Sequence, residues 1–379
     1  MRVVLIGNLS STVILFREKL IRKLKENNAQ VYTLTIDKDP ANFKKIYSYG
    51  AYADSYNFSR TGLNPFSDII NTYRLSNRLS KKIKKIKPDI VLCFFPKPVI
   101  FGTLAARLAR VKKIYPLLEG LGFCYTEHLN NEGIKKIILK KIQTFLYRIC
   151  LPLSSKVLFL NSDDYKDLII KNNIPIKKYD IIGGIGVDLK KFHYSLPKVK
   201  PMHFGMVSRL LVEKGVREFV EAARILKAKY PNTEFSIAGS VDDNLGGISL
   251  EQVNAWKKES FIHFSGQLVD INEYLNNISV FVLPSYREGV PRSTQEAMAV
   301  GRPVITTDVP GCRETVQNSV NGFLIPPWDV KALVEAMSFF ILNPEKVITM
   351  GKESRVMAEE KFDDNAAANK LIQILYGYD

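Results

Sequence analysis

Residues 280–301 read Val-Phe-Val-Leu-Pro-Ser-Tyr-Arg-Glu-Gly-Val-Pro-Arg-Ser-Thr-Gln-Glu-Ala-Met-Ala-Val-Gly. The apolar run Val280–Leu283 predicts a buried strand. Pro284, Ser285, Gly289 and Pro291 predict a turn after it. A helix should start near Arg292 and stop at Gly301. Glu288 then falls on the loop at the strand's carboxyl end. Glu296, after seven intervening residues, falls about one turn inside the helix. Between the two acids lie N–H groups of the helix start that have no partner within the helix. Such a start attracts phosphate. One short stretch thus offers an anion seat between two carboxylates that can accept hydroxyls. A sugar nucleotide, a diphosphate between two polyols, has the matching form.

Outward from this stretch, the second half alternates strands and helices. Strands are predicted at 203–207, 234–239, 261–265, 303–307 and 323–325. Arg209 and Lys214 lie in the loop after the first of these. They pair with Glu213 or Glu218, or they hold a diphosphate, Arg as a fork and Lys as a point charge. Gly266–Asp270 starts another helix, Gly311–Glu314 forms a loop, and Asn321-Gly322 makes a turn. The last helix is predicted over about 352–376.

The first half shows the same alternation, with strands predicted at 2–7, 31–36, 53–58, 89–95, 113–119, 156–161 and 180–185. Strands alternating with helices mark a parallel α/β sheet. Gly7-Asn8-Leu9-Ser10-Ser11 after the first strand suits close approach by a ligand, but it lacks the glycine fingerprint of a nicotinamide site. Asp37 and Asp39 form a D-x-D triplet, read here as loop acids. Phe58–Phe66, with Arg60, is a loop opening a helix that ends in Lys81–Lys87; that basic run favours the helix dipole or a lipid surface. Lys97-Pro98 and Gly102 are placed in the loop after strand 89–95. Glu119, Gly120 and Gly122 follow strand 113–119 at the sheet's carboxyl edge, where α/β ligands bind. Glu119 is a loop acid there, or it takes part in catalysis or acceptor binding.

Residues 131–148 predict a basic amphipathic helix. It lies in a membrane interface, or packs on the sheet with its lysines in water. Gly183, Gly184, Gly186, Pro197 and Pro201 mark the interdomain linker. The expected domains are 1–195, 196–351 and a terminal segment, 352–379.

Charge divides along the same line. Residues 1–200 hold 36 Lys and Arg against 15 Asp and Glu, and the remainder hold 18 against 23. The basic half points to anionic lipid, nucleic acid or a phosphate-rich substrate. No nucleic-acid fold signature accompanies it. Four scattered cysteines lack metal-ligand spacing and read as reduced core thiols of a cytosolic protein. The N-terminus reads as a strand, not a signal peptide. No run of 18 uncharged apolar residues is present, so no membrane span is expected.

The Glu288–Glu296 spacing, opened by E-G-x-P and followed through by E-A-M-A-x-G-x-P-V-I, resembles the signature of retaining GT-B glycosyltransferases of family 4. The resemblance extends to the Arg209/Lys214 loop, Gly266–Asp270, the Gly311 and Asn321-Gly322 turns, Phe58–Pro65, Lys97-Pro98 and Glu119–Gly122. It implies two Rossmann-like domains whose parallel sheets face across a cleft, with the final helix crossing back to the first domain. The branch it resembles acts on undecaprenyl-diphosphate-linked sugars in bacterial surface-glycan and N-glycan assembly, α-1,3-N-acetylgalactosaminyltransferases among them. By resemblance, Arg209 and Lys214 hold the donor diphosphate, Glu296 the ribose and Glu288 the sugar. Gly289, Val290, Pro291 and Ser293 line the sugar pocket, and the Gln267-Leu268 backbone meets uracil. Asn8, Arg60, Lys97, Glu119, Gly120, Gly122 and His128 are the acceptor-side candidates. Relatives carry a His near Glu119, so the protein base is unassigned, with His128 a nearby alternative.

The resemblance implies no metal and no cofactor. The implied partners are a UDP-sugar, a polyprenyl-diphosphate-linked sugar and the inner face of the bacterial membrane. Transfer of GalNAc is the leading expectation. Another UDP-hexose or UDP-HexNAc as donor, a UDP-sugar epimerase of the same fold and a non-catalytic sugar-binding protein are the alternatives.

Overall fold

A strand with apolar residues on both faces must be covered on both faces. Strands β1 (Arg2–Ile6) and β4 (Ile90–Phe94) meet that condition: Val3–Ile6 and Ile90–Phe94 are fully buried. The structure is a computed structural model. It describes residues 1–56, 65–127, 133–242 and 246–377, without the side chains of 65–71.

The chain divides into two units. The first comprises Met1–Tyr125, Glu132–Ile185 and Asn365–Asp379, and the second Thr126–Asn131 and Gly186–Asp364. In the first, β1 and β4 join β2 (Gln30–Thr35), β3 (Ala51–Ser55), β5 (Lys113–Leu118), β6 (Val157–Phe159) and β7 (Tyr179–Ile181). The order is β3-β2-β1-β4-β5-β6-β7, every pair parallel. The helices between them are α1 (Ser10–Glu26), α2 (Pro40–Ser48), α3 (Pro65–Ile86), α4 (Pro96–Leu108), α5 (Ile134–Cys150) and α6 (Ser162–Tyr165).

The second unit contains β8 (His203–Val207), β9 (Glu234–Ala238), β10 (His263–Gly266), β11 (Val280–Leu283), β12 (Val304–Thr307) and β13 (Gly322–Ile325). Their order is β10-β9-β8-β11-β12-β13, again all parallel. Its helices are α7 (Val216–Lys229), α8 (Leu250–Lys258), α9 (Ile271–Asn277), α10 (Arg292–Ala299), α11 (Val330–Leu342) and α12 (Pro344–Lys361). Helix α13 (Asp364–Tyr376) then returns to the first unit. There Lys23 Nζ donates to Asn369 Oδ1 at 2.6 Å, and Lys370 Nζ to the Ile181 carbonyl at 3.0 Å.

Strand order reverses between β1 and β4 in one sheet and between β8 and β11 in the other. At such a point neighbouring chains leave in opposite directions and open a crevice at the carboxyl ends.

Three expectations shift. The residues Lys97, Pro98 and Gly102 belong to α4, not to a loop. Proline is accommodated in a first helical turn, where its missing N–H has no helical acceptor. The single helix expected over 352–376 is two, α12 and α13, broken near Phe362. The units exchange at 185/186 and 364/365, not at 195/196 and 351/352. Residues 186–200 go with the second unit, where buried Arg302 and half-buried Arg355 hold them. Arg302 donates to the Ser195 carbonyl and hydroxyl at 2.8 and 2.7 Å, and Arg355 to the Phe192 carbonyl at 2.9 Å. Burial pulls the Arg302 pKa down to about 10.

Candidate active site

Lys214 and Glu288 come from the loops after β8 and β11, the two strands at the reversal. Lys214 Nζ lies 2.5 Å from Glu288 Oε1, and Ser285 Oγ donates to the same oxygen at 2.8 Å. Both side chains of the pair are mostly buried, 18% and 13% exposed. Two glycines allow this approach. A Cβ on Gly215, at φ +73°, would lie 2.1 Å from the Pro284 carbonyl oxygen. One on Gly311, at φ +79°, would lie 2.3 Å from that of Glu288. Neither position accepts another residue without moving the backbone.

Helix α10 begins after Pro291 without a side-chain cap. Glu296 is its fifth residue and is buried; Arg292 Nε donates to its Oε1 at 2.9 Å. Burial raises the Glu296 pKa, and Arg292 opposes that shift. Arg209 is exposed, its Nη1 2.7 Å from Asp242 Oδ2. Gly289, Val290 and Pro291 are buried in the turn, and Ser293 is half-buried in the first turn of α10. Gln267 and Leu268 follow β10, two places from β8 in the sheet. The chain thus brings Lys214, Ser285 and Glu288 together, while Arg209 is held by Asp242.

In the first unit, Asn8, Lys97 and the Glu119–Gly122 loop follow the adjacent strands β1, β4 and β5. Lys97 is exposed. Gly120 and Gly122 have φ +109° and +76°, as the bend after β5 requires. Glu119 accepts from the Arg17 Nη2 in a pair that is 3% and 5% exposed. The guanidinium also lies 4.3 Å from the Phe94 ring centroid. Arg60 and His128 lie outside the described residues.

Asp37 accepts from Ser10 N at 2.7 Å, and Asp39 caps α2 through Asn42 N at 2.9 Å. Both acids are thereby used at helix starts. All four cysteines are free thiols.

Sequence reasoning missed Arg17. Its signal was present, because Val13, Arg17, Leu20, Ile21 and Leu24 form one buried stripe of α1. A charge inside an apolar stripe needs a buried partner.

Residues 2–161 match the family described as glycosyl transferase 4-like, and residues 190–357 match glycosyl transferases group 1. The chain is 29% identical to N,N'-diacetylbacillosaminyl-diphospho-undecaprenol alpha-1,3-N-acetylgalactosaminyltransferase of Campylobacter jejuni, over 99% of this chain and 98% of that protein. It is 28% identical to an Escherichia coli UDP-Gal:alpha-D-GlcNAc-diphosphoundecaprenol alpha-1,3-galactosyltransferase, over 68% of each. Among solved structures, Anabaena HepE in complex with UDP superposes with a TM-score of 0.75 at 17% identity, covering both chains fully. Sucrose-phosphate synthase of Thermosynechococcus elongatus gives 0.79 at 19%, covering 100% of this chain and 99% of that one. Two parallel sheets in these strand orders give the chain the GT-B fold, and the two glycosyltransferase models, which together span most of its length, make it a glycosyltransferase.

Proposed function

We propose that this enzyme transfers a sugar, GalNAc from UDP-GalNAc, with retention onto an undecaprenyl-diphosphate-linked saccharide in surface-glycan or N-glycan precursor assembly. The observation that carries the reading is the Lys214–Glu288 pair at the β8/β11 reversal, beside the uncapped start of α10. An ammonium there meets a donor diphosphate, while the carboxylate faces hydroxyls. Glu296 takes the ribose and Arg209 the second phosphate charge. The names of the Campylobacter and Escherichia relatives support a lipid-diphosphate acceptor.

Departure and attack occur on the same face of the sugar. The leaving phosphate takes the acceptor's proton, and Arg209 and Lys214 stabilise the charge that develops on the diphosphate. The Gly289–Pro291 backbone shapes the sugar pocket. Asn8, Lys97 and the Glu119–Gly122 loop receive the acceptor.

Membrane contact is assigned to α5, on the inner face of the cell membrane. No helix among the described residues is long and apolar enough to cross a bilayer. Ile134, Ile137, Ile138, Phe145 and Ile149 are all exposed along α5, beside exposed Lys135, Lys141 and Arg148. An apolar face flanked by cations suits an anionic leaflet.

The test is incubation of purified protein with a panel of UDP-sugars and a synthetic polyprenyl-diphosphate sugar, with product mass and linkage read out. Addition of one N-acetylhexosamine in α-1,3 linkage is expected. Conversion of UDP-sugar without acceptor would instead make the enzyme an epimerase.

A further inference from the structure

We propose that Gln295 is a positioning residue that fixes the sugar-pocket turn to the point where the chain enters the second unit. The role rests on the function proposed above. Gln295 stands between two residues of α10 and is fully buried. Its Nε2 donates to the Val290 carbonyl at 3.1 Å, and its Oε1 accepts from Gly186 N at 3.1 Å. The two ends of the amide are not interchangeable. A carbonyl only accepts and a backbone N–H only donates, so the orientation is unique.

Both partners matter. Val290 belongs to the Glu288–Pro291 turn. Gly186 is the first residue of the long segment of the second unit, at φ +83°. A Cβ there would lie 2.5 Å from Asp364 Cα. The entering and leaving chains are bonded side by side: Val187 N donates to the Phe362 carbonyl at 2.8 Å, and Asp364 N to that of Val187 at 3.2 Å. Gln295 therefore spans from this doubled crossing to the pocket wall. An apolar residue of the same volume would fill the space but leave a buried N–H and a buried carbonyl without this partner. A buried amide is retained only where its bonds are made.

The expected role is to hold the Gly289–Pro291 backbone in register with the reacting sugar, with no part in gripping the nucleotide. Small errors of placement reduce turnover more than affinity.

The experiment compares the full chain with Gln295→Met, which keeps volume and loses both bonds, and Gln295→Glu, which keeps an acceptor toward Gly186. Initial rates and calorimetric UDP affinity are measured on each. Both variants should lose at least about tenfold in kcat. Their UDP Kd should stay within about threefold of wild type. Unchanged kcat, or UDP affinity falling in step with kcat, would overturn the role. Failure of both variants to fold would also overturn it, since Gln295 would then serve the core as a whole. Wild-type protein that binds no UDP would instead sink the proposed function, and this role with it.

Discussion

The Lys214 ammonium is 2.5 Å from a Glu288 carboxylate oxygen that also receives the Ser285 hydroxyl. The acid and the cation come from loops after neighbouring strands, β8 and β11. In this arrangement each neutralises the other. On the proposed function, a donor diphosphate would compete with Glu288 for the ammonium and so free Glu288 for sugar hydroxyls. Lys214→Ala should therefore remove a charge donor from the transition state and leave Glu288 uncompensated. Turnover should fall at least about a hundredfold, and the same is expected of Arg209→Ala. Initial rates at saturating donor check this. Near-normal turnover would take both residues out of the site.

Glu296 sits in conflict with stability. Burial raises its pKa despite the Arg292 bond. A carboxyl whose folded pKa is raised stabilises the fold below its unfolded value, near about 4.3, and loses that contribution as pH rises through the folded value. At neutral pH the ionised group is thus a cost. Glu296→Gln should keep or raise Tm at pH 7, and its advantage should shrink as pH falls through the raised pKa. Donor affinity should drop in the same variant. Melting curves across pH measure the first effect and UDP titrations the second. A Tm disadvantage that persists at neutral pH would contradict the assignment.

Arg17 and Glu119 form an ion pair that water scarcely reaches. Removing one member of such a pair costs about 3–5 kcal/mol, because the other charge is left buried alone. Arg17→Met should show a loss of that order in urea unfolding. The double variant Arg17→Met, Glu119→Gln should recover most of it, because no lone charge is left. Additive losses would mean that the two groups do not interact.

The parts of the fold that sequence made legible are those governed by local rules. Val280–Leu283 and Ile90–Phe94 are unbroken apolar runs, and both are strands. Gly289, Pro291 and Gly301 bound α10, so the positions of Glu288 and Glu296 followed from turn chemistry. Contacts set by tertiary register were not legible. Arg17 and Glu119 are 102 positions apart, and nothing local links them. Pro98 looked like a loop residue because proline in a first turn has the same signature as proline outside a helix. For α5, periodicity gave a stripe but not which side faced the sheet. Ile134, Ile137, Ile138 and Ile149 turn outward, while Lys136 Nζ lies 5.4 Å from the Phe123 ring centroid and Lys140 Nζ 5.2 Å from that of Tyr125.

The two sides of α5 therefore have different surroundings. The inward side of α5 holds the loop after Glu119: Gln143 Nε2 donates to the Leu121 carbonyl at 3.3 Å, and Tyr125 and Thr144 share a hydroxyl bond of 2.6 Å. The outward side is exposed, with Ile134 77% and Phe145 52% accessible. Lysines of one helix should therefore separate into two classes. Neutralising Lys135 and Lys141 should weaken binding to anionic vesicles by about 1 kcal/mol per charge, less so in high salt. Neutralising Lys136 and Lys140 should leave vesicle binding nearly intact and lower turnover by disturbing the loop after Glu119. Replacing Ile137, Ile138 and Phe145 by serine should reduce vesicle partition at least about tenfold, since each apolar side chain inserted contributes on the order of 1.5–3 kcal/mol when fully buried. Vesicle sedimentation and initial rates on the same variants separate the classes. Equal loss of vesicle binding from both lysine pairs, or none from the serine variant, would place the bilayer on some other surface.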